Sequence, residues 1–343
     1  MKKIFFAIIA LILLVPATPS QAQTRPWTEY VKPSGLFQAG ISTDHSLQYS
    51  LYVRRARIAI SGTVLDNSRY GKLEYLLRAN LLGSPSLLDG FVKYTLRPEF
   101  GIQLGQFRTP LLIENTEYSA STVEMIEYSI LVQRFCHFGK LDLAGVSNSG
   151  RDIGIQFYGN FLQMGDGHHL FQYNVGVFNG SAINKADSDQ RKEYMARLMV
   201  FPMKELAISG SYARAMGPHP EIAPEYNDYD WYVYDRYGAG VWYKSRYGWF
   251  RAEYMGGHTH GYKARGLYAT AGYNINDQFN AGLRYDYFVT NTWKPESSTE
   301  HRFTVGGTWR PISFFKLQLN YSYDMQPAVA PIHLVNLQAS VIF

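Results

Sequence analysis

The residues best suited to chemistry in this chain are crowded arginines. In "LYVRRARIAISGTV" (51–64), Arg54, Arg55 and Arg57 occupy three of four consecutive positions. Guanidiniums that close together attract anions and hydrogen-bond them in pairs. Two other groupings raise different chemistry. Cys136 adjoins His137, the residue types of nucleophile and base. Sequence neighbours with no orienting third group do not make a triad, and no nucleophile-elbow motif occurs. His258 and His260 in "GHTHG" (257–261) fall on one side of an extended chain, as metal ligands do, but no third ligand is evident. The "DSD" and "NDYD" stretches read as solvated loop rather than calcium site, and no glycine loop for phosphate is present. We therefore expect no enzyme, no resident metal and no cofactor.

The arginines sit on a strand. Ala56, Ile58, Ile60, Gly62 and Val64 recur at every second position, so one face is apolar and Arg55 and Arg57 lie on the other. Arg54 shares the apolar parity and is expected near the strand's outer end, where it can snorkel to headgroups. The same alternation runs through "FKLQLNYSY" (315–323), "FNAGLRYDY" (279–287), "RFTVGGTW" (302–309) and "KLEYLLRANL" (72–81). Roughly sixteen such segments of about ten residues follow one another, the length a tilted strand needs to cross a bilayer. Short connections at 66–71, 97–101, 201–205, 245–248 and 274–278 alternate with longer, more polar ones at 43–50, 109–150, 179–190, 215–234, 257–264 and 291–299. Long-short alternation is expected of a barrel with one rim in the periplasm and one outside; a soluble sandwich has no reason for it.

Composition and targeting agree. Lys2 and Lys3, the apolar "IFFAIIALILLV" and the small-x-small "SQA" at 20–22 read as a signal peptide over 1–22, removed on export. Residues 23–343 then form one domain. Tyr (27) and Gly (30) are abundant, as in outer-membrane barrels. One cysteine excludes an internal disulfide. A net charge of +5, two units of it from the leader lysines, is too small to argue for nucleic acid. The expected architecture is an all-β transmembrane antiparallel β-barrel of about sixteen strands in the cell outer membrane.

If apolar faces meet lipid, the other faces line a lumen. An arginine facing lipid at the midplane costs about 2–4 kcal/mol, which enforces the parity. The rule places Arg55, Arg57, Lys72, Arg78, Lys93, Arg197, Lys244, Arg251, Arg284, Arg302 and Lys316 on pore-lining positions, opposed by Glu74, Asp89, Glu253 and Asp286. Arg57 is expected near Arg78, with Glu74 nearer Gly62 and Asp89 nearer Asn80. Arg251–Glu253 and Arg284–Asp286 are read as structural salt bridges. A positive sum in a water-filled interior concentrates anions.

These stretches resemble a known family. "RRARIAISGTV", "LLDGFVKY", "GIQLGQFRTPLLIEN", "SGRDIGIQFYG", "VGVFNGSAIN" and "LRYDYF", in that order, are similar to the phosphate-selective porins O and P of Gram-negative bacteria. The resemblance implies a sixteen-stranded barrel, usually a homotrimer, whose third long loop folds into the pore. Here that loop is 109–150. Within it "STVEMIEYSILVQRF" (121–135) reads as a short helix, with Ser121 and Glu124 as a capping box and Val123, Ile126 and Ile130 as a docking stripe. The loop carries Glu114, Glu117, Glu124, Glu127 and Asp142 against Arg134 and Lys140, which opposes the wall's preference for anions. The barrel and the porin role are carried over; phosphate as substrate is not. The final strand, "LVNLQASVIF", ends at Phe343 and resembles the signal read by the outer-membrane assembly machinery. The expected function is passive diffusion of small hydrophilic solutes or ions with weak anion selectivity, with lipid and small anions as partners. The alternatives are a barrel anchoring surface loops for adhesion or scaffolding, and an outer-membrane hydrolase.

Overall fold

The alternating segments form sixteen antiparallel strands closed into one barrel. The computed structural model describes residues 26–343 except 45–47, 139–148, 182, 188–191, 219–230, 260–261, 291–298 and 328. The leader expected over 1–22, and Lys140, Asp142 and His260, lie outside the described residues. A helical turn, α1 (Trp27–Tyr30), precedes the first strand. The strands are β1 (Lys32–Asp44), β2 (Tyr49–Asn67), β3 (Gly71–Asn80), β4 (Ser86–Arg97), β5 (Phe100–Arg108), β6 (Arg151–Gln163), β7 (His169–Phe178) and β8 (Glu193–Met203). They continue as β9 (Leu206–Pro218), β10 (Trp231–Lys244), β11 (Gly248–Thr259), β12 (Tyr262–Asn274), β13 (Phe279–Thr290), β14 (Thr299–Ile312), β15 (Phe315–Gln326) and β16 (Val329–Ile342).

Each strand pairs with its sequence neighbours, and β16 returns to β1. Closure leaves no exposed edge, the condition for a sheet in lipid. At the seam Gly35 and Phe343 exchange backbone bonds of 2.5 and 3.1 Å, so the C-terminal residue completes the rim. All five short connections read from the sequence are tight turns on that same rim. Two are set by asparagine side chains. Asn67 Oδ1 accepts from the amides of Arg69 and Tyr70, and Asn276 Oδ1 from Gln278 and Phe279, the Asx device for reversing a chain. Segment 257–264 was expected as a long loop. Instead β11 runs to Thr259 and β12 begins at Tyr262, because His258 pairs with Lys263 and Thr259 with Tyr262. Segment 215–234 is likewise strand at both ends, to Pro218 and from Trp231.

Outward positions are apolar and exposed, among them Leu104, Leu283 and Leu319, as a lipid-facing surface requires. The buried core lies inside the barrel, where the chain between β5 and β6 folds inward. This inner loop contains α2 (Ile113–Glu117) and α3 (Ile130–Phe135). Leu111, Ile113, Val123, Leu131 and Phe135 pack on Met195, Met199, Met255, Tyr268 and Phe288 of the wall. The helix expected over 121–135 is shorter, because Ser129, not Ser121, caps it by accepting from the Val132 amide at 3.3 Å. Ser121 instead meets the Ser119 hydroxyl. The stripe Val123, Ile126 and Ile130 is buried as expected.

A β-bulge corrects the reading of Arg54. Gln38 pairs with Arg55 and Ala39 with Val53, which leaves Arg54 as the extra residue. An extra residue shifts alternation by one. On the long-loop side of the bulge Tyr52 and Arg54 therefore face inward, and on the short-turn side Arg55 and Arg57 do. Arg54 forms an ion pair with Glu127 of the inner loop rather than snorkelling to lipid.

Candidate functional site

The inner loop divides the lumen wall into two unlike halves. On β11–β15 the wall cations serve the loop. Arg251 reaches Glu114 at 3.2 Å and Glu124 at 3.1 Å, and its guanidinium lies 3.9 Å from the centre of the Tyr118 ring. Burial pushes the Tyr118 phenol up, so it packs as a neutral ring. Glu253, expected to pair with Arg251, instead accepts from the amides of Ile113 at 2.5 Å and Glu114 at 3.0 Å, and from Tyr268 Oη at 2.5 Å. It caps the start of α2, whose unsatisfied N–H groups need such an acceptor. Arg284 does pair with Asp286 at 2.7 Å, and it also donates to the Glu127 carbonyl. Asp286 accepts from the Ile130 amide at 2.9 Å. Lys316 Nζ donates to the Ser121 carbonyl at 3.0 Å, and Arg302 binds Asp324 through two contacts of 2.6 and 2.7 Å. Arg134 pairs with Glu300.

Arg251, Arg284 and Lys316 were expected to line the pore. They are 2 % exposed or less and lie beneath the loop, so as pore-lining residues they are corrected. A free arginine could not remain there. The cost of burying its charge has to be offset by carboxylates and carbonyls, and the loop's acids supply them.

On β1–β8 the wall is open. A cavity of about 400 Å³ lies between Arg78, Asp89, Gln103, Arg108, Glu117 and Arg197, and a second of about 190 Å³ lies beside Arg57. Arg78, Arg108 and Ser119 border both. Arg57 has no hydrogen bond or ion pair among the described residues, and its Nε is buried without a partner. Arg55 donates to Gln38 Oε1 at 2.8 Å and meets no carboxylate among the described residues. Arg108 donates to the carbonyls of Asn115 and Tyr118 and to Tyr128 Oη. Among the described residues its charge is also unmatched by a contacting carboxylate.

Asp89 was expected near Asn80. A register shift between Arg78 and Ala79 places it opposite Arg78, which it binds at 2.7 Å, and it also receives Arg151 at 2.7 Å. Arg197 pairs with Glu117 at 2.7 Å. Among the described residues, six guanidiniums on this half (Arg55, Arg57, Arg78, Arg108, Arg151 and Arg197) thus have ion pairs with two carboxylates between them, Asp89 and Glu117. Three expected cations lie away from the narrow zone. Lys72 pairs with Glu74 at 2.6 Å, Lys93 sits over the Tyr158 ring at 4.5 Å, and Lys244 is exposed at the last position of β10. Glu74 itself lies opposite Thr63, not Gly62.

Sequence reading missed Arg108 and Arg151. Alternation from Gln103 puts Arg108 on the lipid side. The break comes near Gly105, whose φ is +129° and where a Cβ would stand 2.2 Å from the Gly90 carbonyl oxygen. Only glycine adopts that backbone freely. The signal was therefore the glycine in "GIQLGQFR", just before the arginine that escapes the parity.

Comparison with known proteins fits this geometry. The chain is similar in structure to Salmonella typhi OmpF in complex with daunomycin, with a TM-score of 0.70 at 10 % identity, over 91 % of this chain and 97 % of that one. The trimer form of Vibrio cholerae OmpT gives 0.65 at 10 % identity, over 91 % and 99 %. A triple mutant of the Rhodopseudomonas blastica porin gives 0.58 at 10 % identity, over 91 % and 100 %. At such identities the likeness speaks for the fold. No curated protein matches the chain. The family model described as phosphate-selective porin O and P matches residues 36–219. That match spans more than half of a closed sixteen-stranded barrel with its third long loop folded inside, and the chain belongs to the phosphate-selective porin O and P family.

Proposed function

We propose that this outer-membrane porin passes small hydrophilic solutes passively and prefers anions modestly. One observation carries the reading. Among the described residues Arg57 and Arg108 border the residual cavities without a contacting carboxylate, while the inner loop's Glu117 and Glu127 are held by Arg197 and Arg54, and Glu114 and Glu124 share the buried Arg251. On the open half Glu117 and Glu127, each matched by its own arginine, project little net field, so they do not cancel the unpaired wall charge there. Fixed charge acts over a Debye length of about 8 Å at physiological ionic strength, comparable with a narrowed pore. The wall therefore biases ions that never touch it. The preference is for negative charge as such, with no site singled out for phosphate. The family and the fold favour a non-enzymatic channel. We also read residues 1–22 as a leader cut on export, Phe343 as part of the assembly signal, and the working form as a homotrimer.

Planar-bilayer reversal potentials in a potassium chloride gradient test this. The wild-type channel is expected to select chloride. Arg57→Gln is expected to move the potential toward cation selectivity, more at low salt than at high. A cation-selective wild type would overturn the reading, and a protein that inserts without conducting would favour a barrel that only anchors its loops.

A further inference from the structure

The outer face of the barrel carries an asymmetry that conduction does not use. On β9–β12, near the long-loop rim, outward positions hold Arg214, Asp235, His258, Lys263 and Arg265. Arg214 pairs in register with Asp235, Asp235 with His258 and His258 with Lys263. They form one row across four strands, with Arg265 two residues below Lys263 on the same face. Alternation fixes the direction. Ala213, Ala215 and Ala264 are buried inside, while Arg214, Lys263 and Arg265 are exposed. The row has one carboxylate, Asp235, which contacts Arg214 at 3.2 Å and accepts from Tyr212 Oη.

Height matters as much as direction. His258 is ten positions above Gly248, where β11 begins. At about 3.4 Å per residue and a tilt near 40° that is roughly 25 Å, the height of the apolar band of a barrel. Beneath the row lie Tyr212, Tyr237 and Tyr254, all exposed, the aromatic girdle expected at a membrane boundary. The charges thus sit at headgroup level, where they cost little. Near the same rim, among the described residues, the outward positions of β13–β16 and β1–β2 hold Tyr287, His301, Tyr323, His333, Thr43 and Leu51 rather than Arg or Lys. A general need for solubility would not favour arginine and lysine on β9–β12 over those six strands.

We infer that the outer face of β9–β12 is a docking strip for a phosphate-bearing lipid of the outer leaflet. Its phosphates would sit among Arg214, Lys263 and Arg265, and its acyl chains would run down over Tyr212, Tyr254 and Leu267. Charge complementarity selects this occupant. A protein partner burying the strip in lipid would have to match cations above and aromatic rings below, whereas a phosphorylated amphiphile has that order built in. Strands about 4.8 Å apart spread the row over roughly 15 Å, enough to engage more than one phosphate.

The test is native mass spectrometry of the detergent-solubilised full chain with diphosphoryl lipid A, against the same lipid with both phosphates removed. The wild type is expected to retain the diphosphoryl form at least tenfold better. The triple variant Arg214→Gln, Lys263→Gln, Arg265→Gln is expected to lose that preference. Arg246→Gln with Arg310→Gln, at the opposite rim, is expected to keep it. Folding is checked by heat-modifiable migration, and should the triple variant fail to fold, Arg214→Gln and Arg265→Gln are read singly. Equal retention of the two lipids by the wild type, or an unchanged preference in the folded variants, would overturn the assignment.

Discussion

Arginine does opposite work on the two halves of the lumen wall. On β11–β15, Arg251 and Arg284 are almost fully buried, and each is met by carboxylate or carbonyl oxygens around the inner loop. On β2–β8, Arg55, Arg57 and Arg108 reach no contacting carboxylate among the described residues, and the last two border open cavity. The residue type is the same in both places. What differs is whether a carboxylate meets the guanidinium. A covered guanidinium becomes a structural clamp because its burial must be offset locally. One that borders the cavity without a contacting carboxylate keeps its field for passing ions.

The largest expected effect breaks the clamp. Arg251→Gln leaves Glu124 without its arginine and Glu114 with only the more distant Arg284, at 4.0 Å, in a buried site. Removing one partner of a buried pair costs about 3–5 kcal/mol. Denaturant unfolding in detergent should show a loss of that order, and single-channel conductance should become noisier as the loop loosens. Arg57→Gln on the open half should leave stability within about 0.5 kcal/mol. Equal losses at both positions would erase the distinction between the halves.

A second pair of variants sharpens the comparison by putting one substitution on each half. Asn320 has lumen parity, and from sequence an arginine there looks harmless. In the structure Asn320 Oδ1 accepts from the Ile126 amide at 2.6 Å under the loop. Asn320→Arg removes that bond and overpacks the site, for a combined cost of about 2–4 kcal/mol. Gln103→Arg, facing the open cavity, should be close to neutral for stability and should strengthen anion selectivity. Unfolding midpoints and reversal potentials of the two proteins decide the matter.

How much of this was legible beforehand depends on whether the rule was local. Alternation is local, so the strands, the five tight turns and the face of most wall cations could be read directly. Bulges are not visible to alternation. One extra residue turned Arg54 inward, and a shift beside Arg78 brought Asp89 to it. Arg108 leaves its parity beyond Gly105, whose φ is +129°, with no shift in register. The pairing of the loop's acids was also out of reach, because Glu114 meets Arg251 across more than a hundred residues. Without that contact the loop looks like a cation filter. With it, the acids are fasteners.

The smallest expected effect concerns a loop acid at the edge of the open half's larger cavity. Glu117 is partly exposed and pairs with the buried Arg197 at 2.7 Å, at the border of the larger cavity. Arg197 also donates to Thr116 and Asn174, so Glu117→Gln leaves its guanidinium held in place but no longer neutralised. With Glu117 partly exposed and Arg197 keeping two other acceptors, the loss should be about 1–2 kcal/mol, between that of a surface pair and that of a fully buried one, and the variant should still fold. The passage meanwhile gains a unit of positive charge. The reversal potential should therefore move modestly toward anions, in the direction opposite to Arg57→Gln and with the same sensitivity to salt. Opposite shifts from two substitutions on one wall would mean that its net charge sets the preference. A cation-ward shift from Glu117→Gln would instead mean that ions pass elsewhere than along β2–β8.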